Sequence, residues 1–377
     1  MQRSLIIAAM FWLIGFSGVG VNSVFSQSSY LHQPELLDKV ALGLQNTYNF
    51  AFDDALITQK ELLRATPDHP APYFLEALIL YWKHFPLLPE NSAALDFVNL
   101  MDQCVELSEE LMKYDLTYQE GVFFDLFGRA FKAMFWADNG KSGKVVSDLR
   151  HMYKRTKEGK DLKDQFVEFY FSTGLYNYYI EAYPEAHPVY KPLLAFMQKG
   201  NKELGLEQLN HAINQAVFLK VEAMLFMSLI QLKYEKDLNA AAIYARHLHQ
   251  DYPNNTYYQG HLLTILLYQH RFGEVRELLA SMEGQSDAWS DMNRTLASGF
   301  ISEADKEKKA EEDYQLLLKS AENFGPIADI YSAMAYMGLS RLKEKKGLEN
   351  EARKYARKAG KYTSYEFILG EQMNASR

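Results

Sequence analysis

The sequence predicts an all-α protein, a right-handed stack of antiparallel helical hairpins with about sixteen helices. Three observations predict it. From about Pro34 onward, apolar residues recur at three- and four-residue steps, as in Phe123, Phe124, Phe127, Phe131 and Met134, and the Val/Ile/Thr alternation of strands is missing. Glycine and proline fall mostly between these runs, at 67–72, 86–89, 140–143, 184–192, Pro253, Gly325-Pro326 and Gly347. Small residues and prolines also return at fixed separations, and that spacing marks an internal repeat.

Taken in order, the elements begin with a leader. Residues 1–26 have a basic start at Arg3, an apolar run from Leu5 to Phe16, then small and polar residues, which is the layout of a secretory signal peptide. Val24 and Ser26 suit the positions before a cut at Gln27, leaving 27–377 as one helical repeat domain. An uncleaved membrane anchor is the alternative, although Gly15, Gly18, Gly20, Asn22 and Ser23 dilute the run below a good spanning segment.

The first hairpin carries Gly43, Ala55 and Pro67; a later one carries Ala241 and Pro253, again twelve apart, and a third carries Gly338 and Ala352. Small residues let paired helices approach, and the proline ends the second helix. These marks resemble the tetratricopeptide repeat (TPR) family, which implies a TPR-like α-solenoid of stacked antiparallel hairpins. Residues 256–282 and 292–322 read as two further hairpins.

Between the first and second repeats lies an elbow near 184–200. Phe166, Phe169, Tyr170, Thr173, Tyr176, Asn177 and Ile180 share one broad helical face, and Gly174 is what a close helix crossing would use. Tyr183-Pro184 is expected to end that helix, with Pro188 and Pro192 delaying a short one that Gly200 terminates; Lys202 opens the next. Gly174, Asn177, Pro184, Pro188, Gly200, Gly205, Leu206 and Leu209 resemble the central segment of the tetratricopeptide repeat protein 39 family and its bacterial relatives, over about residues 165–280. That resemblance implies a scaffold with no catalytic residues to carry over.

Composition excludes several classes. A formal net charge of −8, or −9 once Arg3 is removed with the leader, argues against a general nucleic-acid binder. A single cysteine, Cys104, allows no internal disulfide, and none lies near the cut for lipid attachment. The mature chain has no other run long enough to span a bilayer. The expected location is therefore exported, with the periplasm first and the extracellular space second.

The motifs of chemistry are thin. His247 and His249 are two apart on a helix and point about 200° apart, so they cannot share a metal. No His-Glu-x-x-His, Cys-x-x-Cys, EF-hand, Gly-x-Ser-x-Gly or phosphate-loop spacing occurs. Neither a cofactor, a metal nor an enzymatic activity is expected. His187, among Glu181, Tyr183, Glu185 and Tyr190, is either a polar pocket residue or an exposed turn histidine. Cys104 reads as helix packing, and Asp53-Asp54 as acids at a helix start.

Aromatics and charge remain. Tyrosines and phenylalanines number 25 and 23, and Tyr176, Tyr179 and Tyr183 stand beside the break in the repeat, where amphipathic rings suit a groove. Residues 341–361 hold nine Lys/Arg against three Glu, net +6, and Arg353, Lys354, Arg357, Lys358 and Lys361 form one basic stripe. Tyr176, Tyr179, Tyr183, His187, Arg353, Arg357 and Lys361 are thus the candidate partner-binding residues. The expected function is a scaffold for a protein or peptide; an exported carbohydrate-binding protein on the same frame is the alternative, and an enzyme is third.

Overall fold

A computed structural model describes residues 29–186 and 197–370. Among these residues there is no strand, and sixteen α-helices have ten residues or more. They are α1 (Pro34–Tyr48), α2 (Phe52–Ala65), α3 (Pro70–Lys83), α4 (Ser92–Leu111), α5 (Tyr118–Asp138), α6 (Val146–Leu162), α7 (Phe169–Ala186) and α8 (Lys202–Gln215). After them come α9 (Lys220–Ile230), α10 (Leu238–Asp251), α11 (Thr256–Tyr268), α12 (Phe272–Ser281), α13 (Ala288–Ala304), α14 (Ala310–Ala321), α15 (Asp329–Lys345) and α16 (Glu349–Tyr362). A last short turn, α17, spans Glu366–Leu369.

The described residues divide into two compact units, those up to Met224 and those from Leu225 onward, with the division inside α9. Within each, most successive helices pack on one another through short turns, as antiparallel hairpins must. A second layer of packing links alternate helices: α1 to α3 and α3 to α5 in one unit, α11 to α13 and α13 to α15 in the other. Helices with neighbours on two sides need apolar residues around most of their circumference, which explains α3 and α11, where Phe74, Leu75, Leu78 and Leu262, Leu263, Leu266 are all buried.

The repeat marks have a common geometry. Ala55, Gly205, Ala241 and Ala352 are buried on α2, α8, α10 and α16. Seven residues on, Leu62, Ala212, Leu248 and Ala359 are fully enclosed, and each accepts at its carbonyl the amide of the residue that stops the helix: Thr66 (2.8 Å), Ala216 (2.9 Å), Tyr252 (3.0 Å) and Thr363 (3.3 Å). Pro67 and Pro253 come next, where a residue without an N–H continues the chain out of the helix. Ser228 and Ser340 donate to the carbonyls of Ala241 and Ala352 at 2.9 and 2.8 Å, tying the preceding helix to the small residue.

Two buried glutamates fasten turns in the first unit. Glu120, in the first turn of α5, accepts from the Ser29 hydroxyl, from the amides of Tyr30 (3.0 Å) and Leu31 (3.2 Å), and from His69 Nε2 at 3.0 Å. His69 Nδ1 accepts the Ala71 amide at the start of α3, which fixes the proton on Nε2. Glu168, just before α7, takes the amides of Val217, Phe218 and Leu219 at 2.6, 3.0 and 3.0 Å, where the chain turns into α9.

One expectation is corrected. Helix α7 does not stop before Pro184 but runs through it to Ala186. The proline removes a single amide donor in the last turn, and the buried Ile180 and Tyr183 hold that turn by packing. The proposed leader, His187 and most of the short helix before Gly200 lie outside the described residues.

Candidate functional site

The elbow is first of all a close crossing of α7 and α8. A Cβ on Gly174 would lie 3.0 Å from the Gly205 carbonyl and the Leu209 amide; one on Gly205 would lie 2.6 Å from the Tyr178 amide. Contacts that tight allow only glycine without movement of backbone. Across the same crossing Asn177 donates to Gln208 at 2.7 Å, both side chains buried, and the Asn201 amide donates to the Asn177 carbonyl at 3.1 Å. Hence Gly174, Asn177, Gly205 and Leu209 are joint residues. Tyr179 and Tyr183 are buried with it, 3% and 5% exposed. Tyr176 is half-buried, and its hydroxyl donates to the Gln198 carbonyl at 2.7 Å. Of the three tyrosines, only Tyr176 reaches the surface here.

The C-terminal hairpin, α15 with α16, presents a different surface. Tyr336 of α15 stacks on Tyr355 and Tyr362 of α16, ring centroids 6.3 and 5.7 Å apart and planes within 27° of parallel. All three are half-buried. The Lys358 ammonium sits 5.2 Å from the Tyr336 ring and 5.8 Å from Tyr355, a cation held on the face of the cluster. Burial, then the neighbouring Tyr362, raises the Tyr336 phenol above its usual pKa, so it stays a neutral donor.

Beside these rings runs the basic stripe. Arg353 reaches Glu349 at 3.0 Å, one turn back, but both are largely exposed and the pair is weak. Lys354, Arg357 and Lys361 have no acidic partner among the described residues. By contrast Lys343 and Lys346, nearer the hairpin turn, both pair with Glu311, at 2.8 and 2.7 Å, and Lys343 also reaches Glu351 at 3.5 Å. The structure thus joins Arg353, Arg357 and Lys361 into one surface and leaves the elbow tyrosines apart from them in sequence and in the other unit. Tyr355 and Tyr362 went unread in the sequence, although their spacing of seven places them on one helix face.

Around Asp125 the charged groups satisfy one another. Asp125 is bridged by Arg129 (3.1 Å) and Arg155 (2.8 Å), Arg129 also holds Asp148 (2.8 Å), and Arg155 holds Glu158 (2.7 Å). Cys104 is enclosed, and burial pushes its thiol well above the usual range, so it behaves as a packing residue. Among the described residues no cluster of three or more His, Cys, Asp or Glu is arranged to hold a metal. No helix among them is long and apolar enough to cross a membrane. Compared with protein-family models and with curated proteins, the chain matches none.

Proposed function

We propose that this is an exported helical-repeat protein of TPR type that binds an acidic segment of a protein partner on its C-terminal hairpin, and that it is a binding protein rather than an enzyme. The observation that carries this reading is the set of three cations without acids, Lys354, Arg357 and Lys361, beside the stacked Tyr336, Tyr355 and Tyr362. Acidic side chains would meet the cations, and the rings would bury apolar area while keeping polar tips wet. The shared marks on α2, α8, α10 and α16 support the TPR frame. Arg3, the apolar run from Leu5 to Phe16 and Val24-Phe25-Ser26 support a leader and delivery to the periplasm or beyond, and a cut before Gln27 would keep Ser29 and Tyr30 on Glu120.

Near-parallel tyrosines would also stack a sugar ring, so the carbohydrate-binding alternative draws on the same three residues. Fluorescence anisotropy with a labelled Asp/Glu/Tyr-rich peptide and with a neutral oligosaccharide separates the two. The peptide should bind with a steep salt dependence, and the double reversal Arg357→Glu/Lys361→Glu should weaken it roughly tenfold or more. Peptide binding indifferent to the reversal, or oligosaccharide binding in its place, overturns the assignment.

A further inference from the structure

In the unit from Leu225 onward, a cleft of about 760 Å³ is lined by the C-terminal ends of α11, α13 and α15 and by α17. Its volume is that of a small-molecule site. Four aromatic rings, Tyr268, Phe272, Phe300 and Phe367, form its walls with Met337 and Ile368. Tyr268 meets Phe300 and Phe367 edge-on, at 5.5 and 4.9 Å between centroids. Such walls suit a flat apolar body.

The polar end is a buried carboxylate held by an excess of donors. Glu303 accepts from Arg341 Nε (3.0 Å) and Nη2 (2.8 Å), from the Tyr314 hydroxyl (2.8 Å) and from Lys345 (3.2 Å). Four donors fill the acceptor capacity of one carboxylate. What is left over is all donor. The buried Tyr268 hydroxyl lies against the Arg341 guanidinium and has no acceptor for its own proton, and Lys345 keeps further N–H groups toward solvent. The lining carries two cations, Arg341 and Lys345, and two acids, the buried Glu303 and the exposed Glu344, so its selectivity rests on the surplus of hydrogen-bond donors at the Glu303 end rather than on net charge.

From this juxtaposition we infer that the cleft binds a small aryl carboxylate, its ring among the aromatic walls and its carboxylate on Arg341, Lys345 and the Tyr268 hydroxyl. A neutral head would accept weaker hydrogen bonds from these donors than a carboxylate does, and a cationic head would offer them no acceptor. The site is separate from the Tyr336 surface, and its occupancy does not depend on a protein partner.

Three probes with one body test the head: 3-phenylpropanoate, 3-phenylpropan-1-ol and 3-phenylpropylammonium, titrated into the full chain by calorimetry and by the methyl signal of ¹³C-labelled Met337. The acid should bind with one-to-one saturation and about tenfold or more tighter than the alcohol, with the ammonium weakest. Lys345→Gln, at an exposed position, should weaken the acid roughly fivefold and leave the alcohol unchanged. Phe367→Ala should weaken both. Removing Arg341 risks unfolding by stranding Glu303, so these two variants carry the test. Equal affinity for acid and alcohol, tighter binding of the ammonium, a Lys345→Gln variant that treats both alike, or no saturable shift at Met337 would each overturn the inference.

Discussion

Glu168 shows how much one side chain can hold. Its carboxylate has no cation beside it and is fully buried, and burial pushes its pKa from 4.5 up to about 7, against the pull of three amide hydrogen bonds. Glu120 is buried too, yet the bonds from His69, Ser29 and Tyr30 outweigh burial and hold it below its usual pKa. The sign for Glu168 follows from its raised value. Between about pH 4.5 and 7 the folded state keeps a proton that the unfolded chain has released, so stability is greatest on the acid side and falls as pH rises through that window, by about 3 kcal/mol. Glu168→Gln should abolish this component, and at every pH its amide would face a backbone donor at a cost of about 1–3 kcal/mol. Denaturant titrations of both proteins from pH 5 to 8 check this; parallel profiles would show that the carboxyl does not titrate there. Neither glutamate was legible in the sequence. Each works on amides that lie 49 or more positions away, and no local pattern encodes such a partner.

At the scale of the element, the glycine crossing makes the clearest claim. Gly174→Leu would drive a branched side chain into the Gly205 carbonyl and the backbone of Leu209, so it should cost roughly 3 kcal/mol or more. Gly360 on α16 has nothing within 4 Å of its would-be Cβ, and Gly360→Ala should instead stabilise by about 0.5–1 kcal/mol through helix propensity. Thermal unfolding of the pair decides the matter: a Gly174→Leu protein that melts with the wild type would mean the crossing is loose. Here the sequence was informative because repeat geometry is local. Ala55, Ala241 and Ala352 and their helix stops sit at fixed spacing, and the hairpins at 256–282 and 292–322 follow from periodicity. It misled at Pro184, where packing of neighbouring residues outweighed one lost hydrogen bond. It also left the tyrosine cluster half-read, since Tyr336 joins Tyr355 and Tyr362 only when α15 and α16 pair.

For the whole molecule, the division at 224–225 falls inside α9, in a run without glycine, proline or a change in composition, so nothing in the sequence marks it. The N-terminal side is better marked. Tyr30 stacks on His69 at 4.2 Å, bonds Thr66 through its hydroxyl at 2.7 Å, and gives its amide to Glu120. Ser29 is buried beside it. A cut before Gln27 would leave two residues ahead of this anchor and remove none of its contacts, whereas a cut a few positions later would strip Glu120 of three donors and leave a buried carboxylate short of partners. Folding would therefore tolerate a cut before Gln27 and penalise one a few positions later. Mass spectrometry of protein from its native host should find an N-terminus at Gln27, as free or cyclised glutamine, and Ser26→Phe should hold back processing. A chain that keeps Met1 on the membrane would show the apolar run to be an anchor, and a terminus beyond Tyr30 would show that Glu120 does not need its turn.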